Sequence, residues 1–247
     1  MEIPTKKNII LRITAIIALV EFAIMLGFAN LTFDMGVYAE AILDVAILVI
    51  FSTPMIYIWI IKPYVIARDD AIHQITHMAY HDSLTQLANR RLLIEHLEKL
   101  MSRFVREKSY GALLFIDLDG FKVINDKHGH DAGDAILIEV AKRLNSIVRN
   151  EDIVSRVGGD EFVVVLSKLD TDEQLINSKA LIIAERILKG LNKEINFKNT
   201  SLQIGASIGL RLLSPEKISA ESALKDADIA MYRAKRAGKG HIVVYSK

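Results

Sequence analysis

The chain has 247 residues, 51% of them hydrophobic, and it carries 31 Lys and Arg against 30 Asp and Glu. This near-neutral balance argues against binding through a bulk basic field, so no nucleic-acid partner is expected. The sequence contains no cysteine, which excludes disulfide scaffolds, thiolate metal sites and thiol catalysis.

The apolar residues are concentrated at the N-terminus, where residues 9–61 hold only five formally charged side chains. Two segments, about 9–31 and 41–61, each reach the roughly 20 residues that cross a bilayer core as a helix. Basic residues lie before the first segment and after the second, and the connector 32–40 has none. The positive-inside rule therefore predicts a membrane anchor over residues 1–61 with both chain ends in the cytoplasm.

Three residues inside the predicted spans stand out. Glu21 and Asp44 are costly in lipid, which makes intramembrane carboxylates functional candidates. Alternatively, they face a neighbouring helix or a dimer partner, or lie close enough to the interface to be solvated. Pro54 is expected to kink the second helix.

Residues 62–80 are predicted to form a helical linker. Val65, Ile72, Ile75 and Ala79 follow a heptad-like spacing over about two heptads, fewer than a secure coiled coil needs. Both a dimerising signalling helix and a plain amphipathic connector fit this pattern.

From residue 81 to residue 247, strand and helix patterns alternate. The predicted strands cover 111–118, 161–167, 202–213 and 241–246. The predicted helices cover 134–148, 172–191 with Asp172 as a cap, and 220–237. This alternation indicates one α/β or α+β domain with helices packed on a sheet.

The strongest local pattern is RVGGDEFVVV at 156–165. Gly158 and Gly159 lie between apolar strand segments, as in a tight hairpin, and leave room for a ligand near the backbone. Asp160 and Glu161 follow at once and repel each other unless a cation or solvent compensates. On this pattern alone, a surface turn and a ligand site both remain open.

A second acidic pattern, FIDLDGFKVIND at 115–126, starts as an apolar strand. Asp117 ends the strand, and Asp119 follows on the same face. A strand-end carboxylate beside a hairpin carboxylate suits Mg²⁺, which proteins bind through few carboxylates plus substrate phosphates. Lys235 and Lys239, spaced i, i+4 on one predicted helix face, would neutralise phosphates, although each lysine alone also fits a solvated surface charge. The pattern predicts metal-assisted phosphate chemistry.

The run GGDEF at 158–162 resembles the signature of the diguanylate cyclases, the GGDEF-domain family. Further segments resemble the family in order and at the usual spacing from about residue 82 to residue 245. They are HDSLTQLANRR (81–91), IDLDGFKVINDKHGHDAGDAIL (116–137), ASIGL (206–210) and DADIAMYRAKRAGKG (226–240).

The resemblance implies an α+β fold similar to the palm of nucleotidyl cyclases and polymerases, with a central antiparallel sheet flanked by helices. Here two transmembrane helices would precede it. It implies condensation of two GTP into cyclic di-GMP with release of two pyrophosphates, at a site formed between two such domains, and hence a homodimer. It also implies a multi-pass protein of the bacterial inner membrane, in contact with lipid, with its catalytic domain in the cytoplasm.

The resemblance also implies roles, by motif position. Asp117, the Leu118 carbonyl and Asp160 would hold two Mg²⁺ per site, with Mn²⁺ as an alternative. Glu161 would be a further metal ligand or help deprotonate the attacking 3′-hydroxyl, which gives Glu161, Asp160 and Asp117 as the catalytic set. The remaining substrate contacts would come from Asn125 and Asp134 on the guanine, and from Gly120, Phe121, Lys122, Gly158, Gly159, Lys235 and Lys239 around the phosphates.

Two further implications concern control and phosphate binding. RNED at 149–152 resembles the R-x-x-D product-inhibition site, in which Arg149 and Asp152, supported by Arg156, would bind cyclic di-GMP; a surface ion pair is the alternative. The family often has Arg then Asn where this chain has Lys239 and Gly240, so a weaker phosphate clamp is expected. For the chain as a whole, the alternative is a catalytically silent membrane-bound sensor of GTP or cyclic di-GMP.

Overall fold

The computed structural model describes residues 6–29, 36–170, 173–198, 200–215 and 218–246. The chain divides into two compact units, Met1–His77 and Met78–Lys247. The end of the first predicted span, residues 32–35 of its connector, and the predicted cap Asp172 lie outside the described residues.

The first unit is helical. It contains α1 (Lys6–Ala29), α2 (Val37–Ile56), a π-helical turn (Tyr57–Ile61) and the start of α3 (Lys62–Tyr80). Lys7–Gly27 and Val37–Tyr80 are long and apolar enough to be candidate membrane spans. The π-helical turn follows Pro54 closely, and proline removes a backbone donor from the regular helical pattern.

The second unit is an α+β domain, as predicted. Its elements are α4 (Arg90–Glu107), β1 (Tyr110–Asp119), α5 (Phe121–His128), α6 (His130–Ile147), β2 (Ile153–Gly158), β3 (Glu161–Asp170), α7 (Glu173–Leu191), β4 (Ile195–Phe197), β5 (Thr200–Leu202), β6 (Gly205–Leu213), α8 (Ala220–Arg236) and β7 (Ile242–Val244). The main sheet has the order β2-β3-β1-β6-β7, and β4 and β5 form a separate ribbon.

The main sheet departs from the predicted antiparallel pattern at one edge, where β7 pairs in parallel with β6. The predicted strand 202–213 divides into the end of β5 and β6, and the predicted helix 134–148 begins earlier, at His130. Helix α4 was not predicted, although Asn89 caps it and a regular apolar stripe follows.

Helices cover both faces of the central strand β1, which explains its continuous apolar run. Ala112, Leu114 and Ile116 join the larger core with α6 and α7, whereas Leu113 and Phe115 join a second core with α4 and α8. Because strand side chains alternate between faces, the odd-numbered acidic residues at the end of β1 lie on the face that α8 covers.

Candidate active site

The site begins where the end of β1 meets the start of β3. Asp117 pairs with Glu161 across the antiparallel ladder, and the two side chains share a face of the sheet. The amide of Leu118 donates to the Asp160 carbonyl at 3.2 Å. The predicted strand-end and hairpin carboxylates are therefore brought together.

Asp117 is the most buried of these carboxylates, with 7% of its side chain exposed. Lys235 of α8 places Nζ 2.6 Å from Asp117 Oδ2, whereas Oδ1 is buried and has no hydrogen-bond partner. Burial is the main cause that raises the pKa of Asp117; the Lys235 hydrogen bond opposes it, and Asp160 and Asp119 add to the rise. The pKa of Glu161 is also raised, by burial first and then by Asp117, Asp228 and Asp160.

This charge balance fits a bound cation. A buried carboxylate oxygen without a partner is costly, and one lysine does not neutralise the neighbouring acids. Among the described residues, no three Asp, Glu or His side chains form a complete cage. Mg²⁺ suits such a site, because it keeps water or substrate phosphate in its coordination sphere.

The glycine turn beside the carboxylates is held by Arg156. Its guanidinium donates to the Gly159 carbonyl at 2.8 and 3.0 Å and to both Asp82 oxygens at 3.0 and 3.2 Å. Burial would raise the pKa of Asp82, but hydrogen bonds from Thr85 and Arg156 lower it overall. Gly159 has a φ of +40°, a conformation that favours glycine.

The predicted guanine-binding residues lie on the α5–α6 pair. Asn125 Oδ1 is buried without a hydrogen-bond partner, and Asp134 is exposed on α6. Gly133 lies so close that a Cβ there would be 1.9 Å from Asn125 Oδ1. A side chain at 133 would therefore displace Asn125.

The predicted phosphate-binding residues occupy two places. Gly120, with a φ of +81°, leads into α5, whose first residue is Phe121; the first amides of a helix have no intrahelical acceptor. Lys122 is exposed in the same turn. The prediction that Lys235 and Lys239 share a helix face was wrong: α8 ends at Arg236, and Lys239 lies in the following turn with a φ of +64°.

Comparison with known proteins identifies the family. The sequence profile of the family described as "Diguanylate cyclase, GGDEF domain" matches residues 79–241. The chain belongs to this family. It is 42% identical over 160 residues to the diguanylate cyclase DgcP of Escherichia coli K12, covering 64% of this chain and 45% of DgcP. The chain spans less than half the length of the curated relatives it matches.

Solved structures resemble the GGDEF domain of this chain. The isolated GGDEF domain of TpbB (YfiN) from Pseudomonas aeruginosa has a TM-score of 0.63 at 36% identity, covering 67% of this chain and 94% of that one. The GGDEF domain of DgcB from Caulobacter crescentus, in complex with c-di-GMP, has a TM-score of 0.62 at 25% identity, covering 68% and 97%.

The R-x-x-D segment lies in the turn between α6 and β2 of the GGDEF domain. Arg149 has a largely exposed side chain, with Nη1 3.5 Å from Glu151 Oε1. The Asp152 carboxylate accepts from the Arg149 amide at 3.0 Å and from the Ser167 amide at 2.9 Å. Among the described residues, the Arg156 guanidinium donates to Gly159 and Asp82 rather than to this turn, and its role in product binding stays a prediction.

Several residues of the GGDEF site gained a role only from the structure. Ser207 and Gly240 donate to Asp119, which the sequence reasoning grouped with the metal-binding acids. The charge of Asp228 raises the pKa of Glu161. Asp228 and Lys235 are spaced i, i+7, which is the sequence signal that both lie on one face of α8.

Proposed function

We propose that this protein is a membrane-anchored diguanylate cyclase that joins two GTP into cyclic di-GMP and releases two pyrophosphates. The observation that carries the proposal is the facing pair Asp117 and Glu161, with an unpartnered buried oxygen on Asp117 and Lys235 beside it. The intact run Gly158–Phe162, which contains Glu161, matches the family's signature and supports the proposal.

The chemistry follows from these residues. The 3′-oxygen of one GTP forms a bond to the α-phosphorus of the other, and the bond from that phosphorus to the β-phosphate oxygen breaks. Glu161 accepts the hydroxyl proton, since burial and neighbouring acids raise its pKa and make it a better base than an ordinary carboxylate. The same step with the roles of the two GTP exchanged closes the ring.

Charge stabilisation would come from both the chain and a cofactor. Asp117, the Leu118 carbonyl and Asp160 would hold two divalent cations, which, when bound, stabilise the attacking and leaving oxygens. Lys235 would exchange part of its contact with Asp117 for a phosphate oxygen, because its Nζ already lies at the site. Lys122, Lys239 and the first amides of α5 would bind the remaining phosphate oxygens.

Guanine selectivity would come from Asn125 and Asp134. A carboxylate accepts from the two adjacent donors on the guanine edge, N1–H and the N2 amino group. Adenine lacks this pair, so GTP is favoured over ATP. The unpartnered Asn125 Oδ1 supports an added hydrogen bond to a ligand at this position.

The dimer and the membrane complete the proposal. Each domain binds one GTP, so turnover needs two domains face to face. The exposed Val65, Ile72 and Ile75 of α3 support a dimerising helix, since these apolar side chains have a regular spacing and are exposed to solvent. We infer that the two candidate spans fix the protein in the bacterial inner membrane with the GGDEF domain in the cytoplasm.

Product inhibition through Arg149 and Asp152 is part of the proposal. The exposed Arg149 guanidinium suits a phosphate or the guanine Hoogsteen edge. The second candidate function is a silent sensor that binds GTP or cyclic di-GMP without turnover. The relative that was solved with c-di-GMP supports nucleotide binding in this domain type.

The test compares matched variants of the full chain in detergent or nanodiscs, with GTP and Mg²⁺. Glu161→Gln is expected to abolish cyclic di-GMP formation, whereas Glu185→Gln, an equivalent change on the exposed side of α7, leaves it unchanged. GTP binding by the unmodified chain without any product would reject the cyclase and support the sensor.

A further inference from the structure

Asp119, the last residue of β1, bridges two separate parts of the domain. Its Oδ1 accepts from Ser207 Oγ at 2.8 Å, and Ser207 is fully buried on β6. Its Oδ2 accepts from the backbone amide of Gly240 at 3.0 Å, 121 residues further along the chain. Both carboxylate oxygens are therefore committed to protein donors, in contrast to Asp117 Oδ1.

Gly240 belongs to the turn between α8 and β7. Gly238, Lys239 and Gly240 have φ values of +127°, +64° and +65°. A lysine adopts a positive φ only when surrounding contacts hold it there. After the turn, the His241 carbonyl accepts from the Ile208 amide at 2.9 Å, which joins the turn to β6.

The position of Lys239 therefore depends on this turn. Since α8 ends at Arg236, the helix does not fix Lys239 beside Lys235. The amide directly after Lys239 is the one that Asp119 holds, so the carboxylate restrains the backbone on the C-terminal side of the lysine. Asp119 is two residues from Asp117, which connects the turn to the strand end that carries the proposed metal ligand.

We propose that Asp119 is a positioning residue, which holds the 238–240 turn so that Lys239 reaches the GTP phosphates. This inference rests on the proposed function. It separates the roles of the two acids of the D-x-D pair: Asp117 binds the cation, and Asp119 acts through Lys239. Gly240 also has a specific function in this proposal, because its backbone amide donates the hydrogen bond to Asp119 that holds the turn.

The experiment is a double-mutant cycle on the full chain with Asp119→Asn, Lys239→Ala and the double variant. Asparagine is neutral and has one acceptor oxygen; even when that oxygen accepts from Gly240 and its amide group donates to Ser207 Oγ, the charge-assisted bond that holds the turn is lost. We expect Asp119→Asn to raise KM for GTP by about tenfold, the scale of one lost hydrogen bond to a charged group, with little change in kcat. In the Lys239→Ala background the same change is expected to have almost no effect on KM.

Two results would overturn the proposal: an unchanged KM in Asp119→Asn, or an equal effect of Asp119→Asn in both backgrounds. Glu185→Gln controls for the loss of one negative charge. If Asp119→Asn does not fold, judged by thermal unfolding, Ser207→Ala replaces it in the cycle, since it removes the other bond to the same carboxylate. For Ser207→Ala, a KM increase of less than tenfold that is no longer seen in the Lys239→Ala background supports the proposal. An unchanged KM for Ser207→Ala rejects it.

The same double-mutant cycle is also measured with the Kd for GTP, in the presence of Mg²⁺, as its readout. A chain that binds GTP but forms no product refutes the proposed function, yet the Kd values still test the coupling between Asp119 and Lys239. A folded chain that does not bind GTP refutes both.

Discussion

Gly133→Ala tests whether Asn125 contacts the guanine. A Cβ at 133 would lie 1.9 Å from Asn125 Oδ1, whereas ordinary contact begins at 3.4 Å, so one group must move by about 3.4 − 1.9 = 1.5 Å. The same Cβ would lie 3.1 Å from Phe121 Cζ, which limits movement in that direction. A displacement of this size breaks a hydrogen bond, whose useful range is only about 0.5 Å wide.

Overpacking of this kind typically costs about 1–3 kcal/mol of stability, partly offset by the roughly 1 kcal/mol that alanine gains over glycine in a helix. We therefore expect a modest fall in Tm and a larger effect on substrate, with KM for GTP raised at least about tenfold, or about 1.4 kcal/mol. Steady-state kinetics and thermal unfolding of the full chain measure both quantities.

Gly190→Ala is the matched control in α7. Its added Cβ would lie 2.7 Å from Ile147 Cδ1, the end of a flexible side chain rather than a polar group of the site. It is expected to change Tm without changing KM for GTP. If Gly133→Ala folds and retains the KM of the unmodified chain, Asn125 does not recognise the guanine in the way inferred here.

Three further predictions concern charge. Without divalent cations, the pKa of the Glu161 carboxyl is expected to lie above the usual 4.5, because burial and the neighbouring acids raise it; an NMR titration of this carboxyl that gives a value at or below 4.5 would contradict the electrostatic account. The raised pKa also means that the folded domain binds this proton more tightly than the unfolded chain, a stabilisation that is complete below the unfolded pKa and is lost as pH rises through the folded pKa. Without divalent cations, Glu161→Gln should therefore raise Tm relative to the unmodified chain at about pH 8 but not at about pH 4. If the variant and the unmodified chain have the same Tm at both pH values, the electrostatic account is wrong. Arg149→Ala should leave the initial rate unchanged and remove the slowing by added cyclic di-GMP; continued inhibition would show that the product binds elsewhere.

The sequence was most informative where local periodicity determines the outcome. The short apolar run along 111–118 predicted β1, and the two-residue period of a strand placed Asp117 and Asp119 on one face; the structure has both features. Low charge over 9–61 predicted two apolar helices, and the structure has two helices that are long and apolar enough to be candidate membrane spans. The two acidic patterns predicted a strand-end carboxylate beside a hairpin carboxylate, but the strand register, which local pattern does not contain, decides that Glu161 is the residue paired with Asp117.

Contacts between distant segments were less accessible from sequence. Arg156 and Asp82 are 74 residues apart, and in the sequence each has the pattern of an ordinary surface charge; only the fold shows that they form an ion pair. Lys239 was placed on a helix because the i, i+4 spacing continues, but the run Gly238–Gly240 has backbone angles that end the helix. The parallel pairing of β7 likewise depends on where the chain returns after α8 rather than on the residues 242–244 themselves.

Simultaneous measurement of dinucleotide and pyrophosphate gives the decisive result. The full chain, supplied with GTP and Mg²⁺, is predicted to release two pyrophosphates for each cyclic di-GMP, with a rate per chain that increases with protein concentration where the dimer is incompletely formed. Bound GTP with neither product, or pyrophosphate released without cyclic di-GMP, would contradict the assignment of Asp117 and Glu161 to the condensation of two GTP.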